Sequence, residues 1–474
     1  MRVSGPGMAE ALQRLRDMPD SLLAIARPER LKPALERSMP ELTATGAVLG
    51  RVEPRRLRLK DGVCTCRYDL TLERADGERT VLRLAGVQDL RRPAEPGGAP
   101  PGVALGEEGW RRAVPELGLV LGRPSDTALP AVPILTDPAR AAALLEEILR
   151  ADPARAGLHI EGCTPTVARY KPGSRCTVVY RLRYGKGARG RGWPEAVVAK
   201  THEGDAGRRA YEVMRELWRS ELQRSTAVTV AEPLGFLPEL NVLVQSAITA
   251  EGTLRTLLRR ALARDAADME RVRHLFAKTA RGLAAFHRCG LPGAVRTWER
   301  DLAEVRKRIV ELTHWAPGLD TALEPSLSGL QALAAEHPPE EPACAHGSFR
   351  PTQVLVHEGG VAFIDVDGLC TAEPAMDLAR FRVTTKHIVI HEPSQSELVE
   401  RATEAERLCD LFLNHYENER VAPISRERLA LWETVYLLKH AVNSWRKIKP
   451  ETLDGDLFLL DRHLERTGLA RALC

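Results

Sequence analysis

The sequence predicts an α+β chain in which a small sheet-rich segment feeds a large helical one, with a further α+β segment in front. Three observations carry that prediction. Residues 157–200 read as strands (GCTPTVARY, RCTVVYRLRY, AVVAKTH), with period-2 alternation and Gly/Pro turns between them. From about residue 206 the pattern turns helical. AGRRAYEVMRELWRSEL puts Tyr211, Met214, Leu217 and Trp218 on one face, and after Gly252 helical spacing runs almost to the end. Residues 8–38 are helical (Leu12, Leu15, Met18, Leu22, Leu23), and 46–86 then alternate as strands, TVLRLAG most clearly.

Each element follows from local chemistry. The stretch RRPAEPGGAPPG (91–102) reads as a flexible connection, and PARAAALLEEILR (138–150) as a short helix leading into the next unit. Two short strands follow the amphipathic helix, TVAEPLGFL and NVLVQSAI. Later strand-like interruptions fall at 353–357 and 361–366. The predicted organisation is 1–150, an N-terminal α+β domain; 151–252, a small sheet lobe; and 253–474, a helical lobe.

The first and second strand groups match each other. KDGVCTCRYDLTL (60–72) aligns with KPGSRCTVVYRLRY (171–184) through a Lys-x-Gly turn, a Cys-Thr pair and a Tyr-x-Leu, allowing one inserted residue. Lys-x-Gly hairpins also recur by chance in strand-rich sequence. A degenerate duplicated small lobe is the favoured reading, and two copies are too few for a solenoid.

Composition narrows the function classes. The 474 residues exceed a typical domain about threefold, and 44% hydrophobic with 28% charged residues fits a globular chain. A formal charge of +4, with Arg interspersed among Asp and Glu, gives no clustered basic face for nucleic acid. The densest basic run, Lys186 to Arg191, is interleaved with Gly and reads as a mobile loop. Nine cysteines lie scattered, none at CxxC spacing, which is read as reduced thiols in the cytoplasm. The N-terminus lacks the apolar stretch of a signal peptide, and no run of 18 apolar residues is present to span a membrane.

The chemistry is expected in HGSFRPTQVLVHEGGVAFIDVDGL (346–369) and EPAMDLARF (373–381). A tight turn, a short apolar strand, a Gly-Gly hairpin and a second strand ending in Asp place polar groups on one side, where they can meet a metal-bound phosphate. This segment resembles the catalytic region of aminoglycoside phosphotransferases and choline kinases: His-Gly-Asp-x-x-x-x-Asn, then Ile-Asp-Phe, then Asp-Leu-Ala. His346, Gly347, Ile364, Asp365, Asp377, Leu378 and Ala379 match, as does the spacing between the halves. By order of elements the resemblance covers residues 157–470.

The resemblance implies a bilobal protein-kinase-like fold, a small antiparallel β lobe plus a large helical lobe, using ATP and Mg²⁺. It assigns Asp365 to the metal, and Asp377 and His346 to bracing the loop. Lys200 falls at the nucleotide-phosphate lysine, and the turn holding Gly173 would cover the phosphates. Residues 242–252 resemble the connection that hydrogen-bonds adenine through its backbone. His287, in LAAFHRCG, is expected as a packed helix-end histidine. The helix should pair a carboxylate with Lys200; Glu212 is the candidate, although the best register puts Ala210 there.

Two departures matter. Ser348 stands at the family's catalytic Asp and Gln353 at its metal-binding Asn. A hydroxyl carries no charge and takes up no proton near neutral pH, whereas Gln353 still offers an amide oxygen. Asp367 offers a second carboxylate. Arg350 is placed to hold a phosphate or acidic substrate group, or to salt-bridge within the loop. Two readings therefore stand: a phosphotransferase acting on a small-molecule hydroxyl with a rearranged acceptor site, and a pseudokinase serving as a nucleotide-binding or interaction module. A third, nucleotidylation on the same fold, has no positive feature. The acceptor is not legible. Glu417, Glu419, Asp454 and Asp456 either face a cationic substrate or are ordinary surface and turn charges. Residues 1–150 are expected to cap the site or to mediate homodimer or protein-partner contact. Their third strand has no lysine, so nucleotide binding there is not expected.

Overall fold

The computed structural model describes residues 7–44, 46–89, 110–124, 128–185, 191–263, 266–392, 397–420 and 422–473. The predicted connection at 91–102 and, apart from Arg191, the basic run at 186–191 lie outside them. The chain divides into two compact units: Met1–Ser125 with Glu299–Glu336 and Thr434–Cys474, and Asp126–Trp298 with His337–Glu433.

In the first unit, helices Asp20–Ala26 and Pro28–Ser38 precede five strands: β1 (Ala47–Lys60), β2 (Val63–Arg74), β3 (Arg79–Asp89), β4 (Arg111–Val114) and β5 (Leu119–Gly122). They form one antiparallel sheet ordered β1-β2-β3-β5-β4. The sequence read these as short strands. They run longer because bulges after Leu49 and Pro54 let β1 bend and keep pairing. Helix Met8–Gln13 buries Met8, Ala11 and Leu12 among helices Leu319–Glu336 and Pro450–Thr467. Arg446, almost fully buried, donates to the Leu59 carbonyl (3.2 Å) and pairs with Glu311 (3.3 Å), tying together segments far apart in sequence.

In the second unit the strands are β6 (Ile160–Lys171), β7 (Arg175–Tyr184), β8 (Ala196–His202), β9 (Thr229–Val230), β10 (Pro233–Leu237) and β11 (Val242–Ser246), with helix Ala206–Arg219 after β8. The sheet order is β10-β11-β8-β7-β6. Helix Pro138–Arg150 packs Leu144, Leu145, Ile148 and Leu149 against its buried residues Val178, Tyr180, Val197 and Val244. Then come β12 (Gly252–Thr253), helix Ala266–His287, β13 (Ala294–Val295), β14 (Ala343–Ala345), the hairpin β15 (Val354–His357) and β16 (Gly360–Phe363), β17 (Cys370–Ala372), and helices Ala375–Ile390 and Leu398–Glu417. A small antiparallel sheet followed by a helical part is the α+β order that the sequence predicts.

The two large sheets are copies in order, register and caps. Tyr68 sits opposite Pro54 and Leu84, as Tyr180 sits opposite Pro165 and Val197. The Tyr68 hydroxyl donates to the Ile25 carbonyl (3.0 Å) and the Tyr180 hydroxyl to the Leu135 carbonyl (2.8 Å). The last two strands of each sheet are joined by a Pro-Glu-Leu 3₁₀ turn, 115–117 and 238–240, each closed by a left-handed residue, Gly118 (φ 58°) and Asn241 (φ 50°). Gln88 donates to the Leu117 carbonyl (2.7 Å), as Thr201 does to that of Leu240 (3.4 Å). Chance hairpins share turn chemistry but not sheet order and register, so the likeness of the two sheets goes beyond their turns. At the register of Lys200, opposite Thr177 and Leu243, the first sheet carries Val87, opposite Thr65 and Val120. Among the described residues no helix is long and apolar enough to cross a membrane.

Candidate active site

The loop between β14 and β15 is fixed from below. Asp377, fully buried in the first turn of helix Ala375–Ile390, accepts from the backbone N–H of His346 (2.6 Å) and of Gly347 (3.1 Å). His287 Nε2 lies 3.4 Å from the same carboxylate, and its Nδ1 meets the Tyr416 hydroxyl at 2.7 Å. Burial alone would raise the Asp377 pKa; the His287 hydrogen bond and charge outweigh it and hold the carboxyl below its ordinary range. Gly347 has φ 76°, and a Cβ there would sit 2.0 Å from the Gly368 carbonyl oxygen, so only glycine fits. Its own carbonyl accepts from Arg296 (2.7 Å) and Arg380 (3.2 Å).

Above this base stand the substituted residues. His346 Nε2 donates to the Ile364 carbonyl (3.1 Å), which leaves Nδ1 as an acceptor facing the Ser348 hydroxyl at 3.4 Å. Burial depresses the His346 pKa, consistent with this neutral tautomer. Ser348 Oγ accepts from Gln353 Nε2 at 2.8 Å. That contact orients the Gln353 amide so that its Oε1, sealed from solvent, has no hydrogen-bond partner among the described residues. The Gln353 carbonyl in turn accepts from the Ile364 N–H (3.0 Å), which places Gln353 beside the end of β16.

Asp365 follows β16 in a left-handed conformation (φ 59°) that turns its side chain toward the second sheet. Lys200 Nζ, from the end of β8, approaches Asp365 Oδ1 at 3.1 Å. Arg175 lies 3.7 Å from both Asp365 and Asp367, and Arg169 lies 4.0 Å from Asp365. Burial would raise the Asp365 pKa, but Lys200, Arg175 and Arg169 overcome it and bring it to about 2, so the carboxylate is ionised at neutral pH.

The structure thus brings together Lys200, Asp365 and Asp367, and joins Ser348 with Gln353, whose carbonyl bonds the N–H of the residue before Asp365. Gly173 occupies the β6–β7 turn with φ 67°, where a Cβ would meet open space. Glu212 is not brought in. It is exposed and makes no ion pair among the described residues, whereas Ala210, two residues earlier, lines a cavity of about 20 Å³ with Lys200, His202, Met214, Gln245 and Asp367. Helix Ala206–Arg219 turns its 210-214-217 face inward, so a residue at 212 points away. The late acidic residues are engaged elsewhere. Glu417 pairs with Arg426 (2.7 Å) and Glu419 with Arg288 (3.9 Å); in the other unit, Asp454 pairs with Arg16 (2.8 Å) and Asp456 accepts from Ser444 (2.6 Å).

Sequence reasoning missed Arg169, Arg175 and His202. The signal was available: residues directly opposite in a sheet share a face, and Lys200 lies opposite Thr177, Thr177 opposite Arg169, and His202 opposite Arg175. His202 is buried, with both ring nitrogens unpartnered among the described residues, and burial lowers its pKa.

Solved structures similar to this chain include a choline/ethanolamine kinase family protein from Mesorhizobium loti (15% identity, 70% of this chain and 97% of that one, TM-score 0.45). A choline kinase of Streptococcus pneumoniae is similar at 15% identity over 69% and 99%, TM-score 0.42. A glucosamine kinase is similar at 15% identity over 94% and 99%, TM-score 0.47. The curated proteins contain no match. Residues 179–417, half of the chain, match the model of the phosphotransferase enzyme family, a span that starts in β7 and takes in Lys200, the Ser348 loop, Asp365 and Asp377. The chain therefore belongs to the phosphotransferase enzyme family.

Proposed function

We propose that this protein transfers a phosphoryl group from ATP, with Mg²⁺, to the hydroxyl of a small molecule, through a catalytic loop whose proton-accepting carboxylate has been replaced. The observation that carries the reading is the meeting of Lys200 and Asp365 at 3.1 Å, with the Gln353 carbonyl bonded to the residue just before Asp365 and the Gln353 Oε1 without a partner among the described residues. An ionised carboxylate and an orphaned amide oxygen form a hard oxygen donor set that suits Mg²⁺. Asp365 and Gln353 would hold the ion, with Asp367 as a further carboxylate; when bound, it neutralises phosphate charge. Lys200 is released from Asp365 to a phosphate oxygen, and Arg175 and Arg169 add cationic charge beside the turn at Gly173.

Ser348 orients the acceptor hydroxyl without taking its proton. The transfer forms a bond from acceptor oxygen to phosphorus, breaks the bond to the leaving ADP oxygen, and passes the hydroxyl proton to solvent water. Positioning and electrostatics dominate such transfers, so the missing base slows the step without removing it. Labelled transfer from ATP to a panel of sugars, amino sugars and amino alcohols tests this. Ser348→Asp should raise the rate by roughly 10²–10⁴-fold, and no gain contradicts the impaired-loop account. The pseudokinase reading draws on Ser348 and on Ala210 beside Lys200. It predicts nucleotide binding with no transfer by either chain. The thiols, eight of them free among the described residues, favour a reducing cytoplasm.

A further inference from the structure

The site carries two groups of cations that come from different elements. Arg169, Arg175 and Lys200, on β6, β7 and β8, surround Asp365. Arg350 and Arg380 come from the loop and helix that carry Ser348 and Asp377. The first group has carboxylate partners, because Asp365 meets all three of its members and Asp367 also meets Arg175. Arg380 reaches the Gly347 carbonyl, a neutral acceptor. Arg350 makes no ion pair among the described residues, and its Nε is sealed from solvent without a hydrogen-bond partner. Burial, then the neighbouring Arg380 and Arg169, hold its pKa down to about 10 against the opposing charge of Asp365, which still leaves it charged at neutral pH.

A half-buried guanidinium with a sealed, unsatisfied N–H is costly unless an anion meets it. Its planar fork suits the two oxygens of a phosphate or carboxylate. Arg350 stands two residues past Ser348, on the loop that orients the acceptor, whereas the triphosphate's cations are supplied from the sheet. We infer that Arg350 forms an oxyanion subsite on the acceptor side, so that the hydroxyl to be phosphorylated is carried by a molecule bearing a phosphate or carboxylate. The inference rests on the phosphotransferase reading and names the substrate class for it.

The test is calorimetric titration of inorganic phosphate into the full chain saturated with ADP–Mg²⁺, and separately with a non-hydrolysable ATP analogue and Mg²⁺, which fills the γ-phosphate position. The subsite predicts similar phosphate affinity in both. Arg350→Met should weaken phosphate about 10- to 100-fold while leaving ADP affinity unchanged, which also reports that the variant is folded. Arg350→Lys should restore part of the loss. Phosphate binding beside ADP but not beside the analogue would assign Arg350 to the γ-phosphate and overturn the inference. So would unchanged binding in Arg350→Met, or no phosphate binding at all. If neither nucleotide binds, the proposed function fails on its own; Arg350-dependent binding of phosphate to the nucleotide-free chain would still support an anion subsite.

Discussion

Single residues set the charge state of this site. Asp365 has its pKa depressed from 3.8 to about 2, so its ion pairs stabilise the fold fully above pH 3.8, and that contribution is lost as pH falls toward 2. The shift corresponds to about 2 kcal/mol. Asp365→Asn should therefore lower stability by about that amount at pH 5–8, with the gap from wild type closing below pH 4 in denaturant titrations. Asp377 is a positioning residue, and its removal orphans the N–H groups of His346 and Gly347. Asp377→Ala should cost about 3 kcal/mol, and Asp377→Asn, which keeps one acceptor, less. These two acids were legible because they lie close together in a contiguous motif. Arg169 and Arg175 were not, because their approach to Asp365 depends on the β6–β7–β8 register and not on nearness in sequence.

At the scale of elements, the two sheets test the duplication against each other. Tyr68→Phe and Tyr180→Phe each remove a buried hydroxyl that satisfies a helix-end carbonyl. Each should cost about 1 kcal/mol and lower the melting temperature, with the two losses alike; a loss at only one would say that the copies are held differently. The first halves of the repeat were visible as Lys-x-Gly and Tyr-x-Leu. The second halves, the Pro-Glu-Leu turns with Gln88 and Thr201, escaped because different intervening chain separates them from the hairpins: helix Ala206–Arg219 in one copy, residues 90–109 in the other. Glu212 failed for a local reason, since helical spacing from Met214 and Leu217 puts 210 inside and 212 outside.

At the scale of the whole chain, sequence order and compact units disagree, because the first unit takes in residues 299–336 and 434–474. Periodicity shows which face of a helix is apolar but not which partner covers it. Leu12, Leu15, Leu319, Leu323 and Leu327 are all essentially inaccessible in that unit. A chain shortened to residues 128–474 should therefore bind hydrophobic dyes and aggregate; a soluble, monomeric product would count against the division. In the proposed function Lys200 and Asp365 together hold one metal–nucleotide. Calorimetric titration of ATP with Mg²⁺ into wild type, Lys200→Met and Asp365→Ala tests this most directly. Saturable binding that weakens at least about tenfold in each variant is the predicted result. Heats absent in wild type with ATP or ADP, or affinities equal across the three chains, would contradict it.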